Sequence, residues 1–291
     1  LQNKHFGKHQ ECNTRCLIDK VTRFEDEHKH PMNIDSMTAD DLRVFADFLS
    51  SDYDISMNTI VTNMTLMRTV CNWVRKQGVT NNDPFFGYDM PKALYGTPYF
   101  LTIQERDQVL DADLTDDAEL AEYRDMFVFQ CMVGCRHSDL VTFTPKNIID
   151  GVLEYIPIKT KGKLGDVVRV PLIPKAMAIL DGHDHGDDEP IFPKHYNFKF
   201  NDAIRRILKR AKVNRVVTVI NPKTRLEEKK PISDVATSHL ARRTFIGNLY
   251  RMVKDPDLVA SMSGHAKGSV AFARYRVIDD DMKKSLVELI Q

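Results

Sequence analysis

Thr237-Ser238-His239-Leu240-Ala241-Arg242-Arg243-Thr244, followed by Ser263-Gly264-His265 and Ala273-Arg274-Tyr275, is the stretch from which the rest of this chain is read. On a helix, His239 and Arg242 are three residues apart and share one face, so an imidazole and a guanidinium converge on one small anion. His265 follows a glycine at what the sequence presents as a helix start, and Tyr275 comes ten residues later. A proton carrier, an oxyanion clamp, a second hydrogen-bond donor and a nucleophile are thus gathered in one segment. Attack of a tyrosine on phosphorus needs that set, because a phenol is a weak nucleophile at neutral pH and charge builds on the non-bridging oxygens.

Taken singly, these residues have ordinary explanations. A His-x-x-Arg pair can be a solvated helix face, and Tyr275, in the run Val270-Ala271-Phe272-Ala273-Arg274-Tyr275, can be a core residue. A third element upstream changes the balance: Val133-Gly134-Cys135-Arg136-His137-Ser138-Asp139-Leu140, with a lysine-bearing hairpin after it.

Together these residues resemble the tyrosine recombinases, the phage integrases and their relatives. The family signature Gly-x-Arg-x-Ser-Glu/Asp-Leu is matched by Gly134, Arg136, Ser138, Asp139 and Leu140. Lys159-Thr160, followed by Val170-Pro171-Leu172, is similar to the family's lysine hairpin. The His-x-x-Arg box falls on His239 and Arg242, the Gly-His box on Gly264 and His265, and the nucleophile on Tyr275. The order is the family's, with His265 and Tyr275 one residue further apart than is commonest there. Tyr250 is the only other tyrosine nearby.

The resemblance implies a mainly α fold with a small β-sheet, a helical core-binding domain ahead of a catalytic domain, and site-specific recombination of double-stranded DNA. Tyr275 would form a 3′-phosphotyrosyl bond while Arg136 and Arg242 hold the non-bridging oxygens, a task suited to planar guanidinium groups. His239 would assist proton transfer at Tyr275, His265 would donate to the phosphate, and Lys159 would protonate the 5′-oxygen. With fixed cations carrying the charge, neither metal nor cofactor is expected. Four protomers would act on two duplexes through a Holliday junction. The rival readings are a type IB topoisomerase-like relaxation of the same strand, and a DNA-binding protein with a vestigial site.

A chain of 291 residues is comfortable for two cores, and 42% hydrophobic with 28% charged residues is ordinary for a globular protein. No apolar run approaches the roughly 18 residues of a membrane span. The opening Leu1-Gln2-Asn3-Lys4 shows no secretory signal and no initiator Met, so a processed or excised chain, with an N-terminal part missing, is the expectation. Five cysteines, an odd number, suggest a reducing cytoplasm rather than a disulfide framework. Cys12-x-x-x-Cys16 and Cys131-x-x-x-Cys135 lack the further ligands of a zinc set. The balanced net charge hides an asymmetry: residues 1–150 hold 15 Lys and Arg against 24 Asp and Glu, residues 151–291 hold 26 against 17. A polyanion-binding surface is expected in the second half.

In order along the chain, residues 1–95 read as a helical domain. One helix opens at Thr38 with Leu42, Phe45, Phe48 and Leu49 inward, and another runs from about Ser56 to Gly78 with Ile60, Met64, Met67, Cys71 and Val74 inward. The outer face of the second offers Arg68, Arg75 and Lys76 to phosphates or to water. Turn formers crowd residues 81–97, and the capping box Thr102-Ile103-Gln104-Glu105 opens a second domain, 96–291. A helix over 118–133 delivers Arg136, strands flank a lysine-rich turn at 159–165, and Lys159 is expected at the end of the first strand. The loop of His183, Asp184, His185 and Asp187 reads as solvated rather than metal-binding. A helix over 197–213 carries Arg205 and Arg206 on a basic edge suited to backbone contacts, and residues 215–231 read as a β-hairpin. A last amphipathic helix follows Asp279-Asp280-Asp281.

Overall fold

Phe24, Phe45 and Phe48 meet edge-on with centroids 5.3 Å apart for Phe24–Phe45 and for Phe24–Phe48, and around them three helices close a first core. These are α1 (Lys8–His28), α2 (Ala39–Ser51) and α3 (Met57–Lys76). The computed structural model describes residues 8–160, 167–183, 186–253, 255–265 and 287–288. The chain divides into two compact units, Leu1–Tyr95 with Ile220–Glu228, and Gly96–Val219 with Lys229–Gln291.

In the first unit the helix starts follow from their caps. The Thr38 hydroxyl accepts the Asp41 N–H at 3.3 Å while the Asp41 carboxylate accepts the Thr38 N–H at 2.7 Å, satisfying two of the donors a helix start leaves open. Ser56 caps α3 in the same manner through the Thr59 N–H, 3.2 Å away. The apolar period buries Leu42, Phe45, Phe48 and Leu49 on α2 and Ile60, Met64, Met67 and Cys71 on α3, with Val74 half-buried.

The second unit is built on α5 (Ala118–Val133), whose residues from Met126 to Val133 are all buried. A helix apolar on every side belongs at a centre, and α4 (Ile103–Leu110), α8 (Asn197–Arg210) and α10 (Ser238–Val253) pack around it. Gly134 ends α5 in the left-handed region at φ +68°, and a Cβ there would lie 2.2 Å from Phe245 Cδ1. Gly134→Ala is therefore expected to destabilise the unit by about 2–4 kcal/mol, from backbone strain plus overpacking. Urea unfolding measures this; a variant as stable as the parent removes the account.

After α6 (His137–Leu140), β1 (Ile148–Ile149), β2 (Val152–Tyr155) and β3 (Val168–Pro171) form an antiparallel sheet in the order β1-β2-β3. Alternation buries Leu153, Tyr155, Val168 and Val170, and turns Glu154 and Arg169 outward as a paired position with an ion pair of 2.6 Å. Next come α7 (Pro174–Asp181), α8, the two-stranded ladder β4 (Val216–Ile220) and β5 (Glu227–Pro231), α9 (Ile232–Val235), α10 and α11 (Pro256–Ser263). The expectation of a mainly α chain with small sheets is met.

One local expectation is corrected. Lys159 does not sit at the end of a strand: β2 stops at Tyr155, Pro157 has no N–H to continue a ladder, and Ile158–Thr160 forms a single 3₁₀ turn. Gly264 closes a helix, and the helix start expected at His265 would run into residues outside the described ones. Gly264 sits at φ +64° after α11, where only glycine is unstrained, and the His265 N–H returns to the Ala260 carbonyl at 3.0 Å. The proposed helix after Asp279 falls, except for residues 287–288, outside the described residues, as do Lys161, Lys163 and Tyr275.

Candidate active site

The carboxyl end of α5 sets the site. The chain leaves Gly134 in a left-handed turn and places Arg136 just before α6, where its Nη1 is buried without a hydrogen-bond partner among the described residues. Asp139 Oδ2 is 3.9 Å from that nitrogen, beyond hydrogen-bond reach. The other oxygen of Asp139, a residue only 1% exposed, accepts the Ile158 N–H at 2.9 Å. One buried carboxylate therefore ties the turn bearing Lys159 to the turn bearing Arg136. Lys159 itself is exposed.

α10 brings His239 and Arg242 over the same ground. Arg242 is 1% exposed; its Nη1 donates to the Gly134 carbonyl at 2.7 Å, and its Nη2 lies 2.9 Å from Nδ1 of His265 and 3.1 Å from Nε2. Ser263 Oγ is 2.9 Å from the same Nδ1. The Gly264 turn is held against the sheet, since a Cβ there would meet Val168 Cγ2 at 2.9 Å and Pro157 Cγ at 3.2 Å. The residues expected from the sequence at 136, 159, 239, 242 and 265 thus meet through four elements, whereas Tyr275 lies outside the described residues.

The field among them is strongly positive. Burial pushes the His265 pKa down to about 3, reinforced by Arg242, Arg136, His239 and Lys159. His239 keeps an exposed edge, yet the protein packed around its ring, then the cations Arg243, Arg242 and Arg136, push it down to about 4. Both rings are neutral at pH 7, so His239 can accept a proton. An unfolded imidazole takes up its proton near pH 6.5, roughly the free value, while the folded site refuses it until about pH 4 or 3. Below that free value the unfolded chain binds more protons, so stability falls as pH drops. His265→Gln should lose less stability than the parent between pH 7 and pH 5 in urea titrations. An equal loss would mean that His265 ionises normally.

A sequence model of the phage integrase family matches residues 99–282, and one of the phage integrase SAM-like domain matches residues 2–90. The chain belongs to the phage integrase family. Its fold is similar to that of a lambda integrase dimer bound to a COC′ core site (TM-score 0.69, 13% identity, 96% of this chain and 92% of that one). It is also similar to the Tn1549 transposon integrase in complex with a circular intermediate DNA (TM-score 0.72, 15% identity, 99% and 96% of the two chains). A lambda integrase tetramer bound to a Holliday junction matches at TM-score 0.67 and 13% identity, over 95% of this chain and 74% of that one. No curated protein matches the chain.

The candidate DNA contacts of this integrase divide by charge pairing. Arg75 is paired with Asp83, Arg205 with Asp202 at 3.4 Å and Arg206 with Asp117 at 2.8 Å, whereas Arg68 and Lys76 are exposed with no ion pair among the described residues. His183, in the loop read as solvated, faces Asp125 at 3.8 Å. Among the described residues, no three His, Cys, Asp or Glu side chains are placed to hold a metal ion, and no helix is long and apolar enough to cross a membrane. Sequence reasoning placed Asp139 in the signature without its bond to Ile158, and quoted Ser263 beside Gly264 without its contact to His265. Their only sequence signals are adjacency to Arg136 and His265.

Proposed function

We propose that this tyrosine recombinase cleaves DNA by attack of Tyr275 on a phosphate held by Arg136 and Arg242, forming a 3′-phosphotyrosyl bond. The observation that carries the assignment is the convergence of Arg136, Lys159, His239 and Arg242 on His265. Neutral His239 takes the phenol proton, His265 donates to a non-bridging oxygen, and exposed Lys159 delivers a proton to the departing 5′-oxygen. The two guanidinium groups offset the charge that develops on phosphorus oxygens. The covalent bond stores the energy of the cut, so rejoining needs no nucleotide.

Strand exchange rather than simple relaxation fits the family. By analogy with the lambda tetramer on a Holliday junction, four copies act on two duplexes. The five free cysteines suit a reducing cytoplasm. Incubating the protein with genomic fragments, trapping covalent adducts and sequencing the attached ends tests the reading and yields the target. Supercoil relaxation without recombinant products would instead favour the topoisomerase-like activity.

Binding gives a separate expectation. Each phosphate neutralised by a cation releases counterion, so affinity falls linearly in log-log form with salt. Arg68→Ala and Lys76→Ala should each lower that slope by about one. Arg75, Arg205 and Arg206, already paired with carboxylates, should lower it by less. A flat salt response of the parent removes the DNA reading.

A further inference from the structure

Phosphodiester chemistry accounts for the cations and imidazoles of the site but not for two aromatic rings beside it. Tyr196 and Phe198 are 74% and 68% exposed, while Phe200, two residues on, is fully buried. The two exposed rings are near-parallel, with centroids 6.0 Å apart and planes at 23°. Large rings are ordinarily drawn into a core or a contact by the apolar area they remove from water.

Two links fix their place. Phe200 stacks on His137 with centroids 5.0 Å apart, and His137 directly follows Arg136. Asn201 Oδ1 accepts the Ser238 N–H at 2.8 Å, and Asn197 Oδ1 is 3.2 Å from Ser238 Oγ; Ser238 directly precedes His239. The first turns of α8 are thus held by the residues next to Arg136 and next to His239, and Tyr196 and Phe198 stand on the exposed side of those same turns. Lys194 and Lys199, both exposed, flank the pair.

We propose that Tyr196 and Phe198 form a stacking site for an unpaired nucleobase of the strand freed beside the scissile phosphate. The proposal rests on the recombinase reading above. A strand that is cut and passed to another duplex leaves its complement, and its terminal bases lose their stacking. An aromatic face takes any base without reading its identity, and the flanking ammonium groups meet the phosphates on either side. A protein occupant is less well served. A stable protein interface needs on the order of 800 Å² per partner, whereas two rings supply about 150–250 Å² each.

The probes are a single-stranded thymidine 20-mer and a duplex of the same length, used with the full chain. The double variant Tyr196→Ser, Phe198→Ser changes only exposed side chains. Its single-strand affinity should fall about tenfold, within the range of lost base–aromatic stacking, with duplex affinity and its salt slope unchanged. Tyr196→Trp should keep single-strand affinity, and Tyr196→Leu, which retains apolar area but no ring, should lose it. A 5-iodouracil placed in the single strand and irradiated should attach to Tyr196 or Phe198 by peptide mapping. Equal losses on both DNAs, no loss on either, or attachment elsewhere overturns the site. A change in sedimentation of the protein alone would make the rings a protein interface and overturn it as well. Failure of the parent to bind duplex at all would overturn the recombinase reading instead.

Discussion

Tyr275→Phe is expected to abolish the covalent protein–DNA adduct while leaving duplex affinity nearly unchanged. Only the attacking oxygen is removed; the cations that bind phosphate stay in place. The loss should be complete rather than partial, because the bond cannot form without its attacking oxygen, in contrast to residues that lower a barrier and leave a residual rate. Denaturing gels with end-labelled DNA measure the adduct, and a filter assay measures binding on the same samples. Tyr250, on α10 eight residues beyond Arg242, is the competing phenol. Adduct that survives in Tyr275→Phe and disappears in Tyr250→Phe would transfer the role and discard the motif alignment past His265.

Lys159→Ala is expected to slow cleavage roughly 100-fold to 10,000-fold, the usual range for a lost general acid. An alkoxide leaving group has a conjugate-acid pKa on the order of that of water, about 15.7, so it needs a proton to depart near pH 7. A thiolate does not, its conjugate acid being near the thiol value of about 8.5. A substrate with sulfur in place of the bridging 5′-oxygen should therefore restore near-parental cleavage to Lys159→Ala. Arg136→Ala should stay slow on that substrate, because its task is the non-bridging charge. Rescue of Lys161→Ala instead, with Lys159→Ala unaffected on both substrates, would move the acid two residues along the sequence. The bond from Ile158 to Asp139 adds a corollary: Asp139→Asn, keeping one carbonyl acceptor, should disturb Lys159 less than Asp139→Ala.

Helices with long apolar periods were legible because each local choice agrees with the fold. Thr38, Ser56 and Thr102 all cap helices as their side-chain chemistry dictates, and Met126, Phe127, Phe129 and Met132 are buried as their spacing implies. The short helix α11 was missed, although Asp255-Pro256 is a cap followed by a proline at the first helical position. Gly264 is that helix's left-handed end, a role its sequence also signals once the cap at Asp255 is noticed. Pro157 carried the information that β2 stops before Lys159, but the strand pattern on either side masked it. The residue types of the candidate site could be read from spacing alone. Their convergence could not, since the bonds from Arg242 to Gly134 and from Asp139 to Ile158 depend on how helices and sheet pack.

The bond between Arg242 and the Gly134 carbonyl spans 108 residues, and that between Thr244 and the Leu101 N–H spans 143. Closing contacts so far apart costs chain entropy before any contact is gained, which slows such topologies relative to locally wired ones. During synthesis the segment bearing Arg136 emerges long before α10 and the Gly264 turn, so, on the roles proposed above, a growing or truncated chain holds one of the two arginines without the other. On those roles, competence to cut DNA arrives late, with the carboxyl-terminal third of the chain, and a fragment released by a ribosome that stalls earlier is expected not to nick DNA.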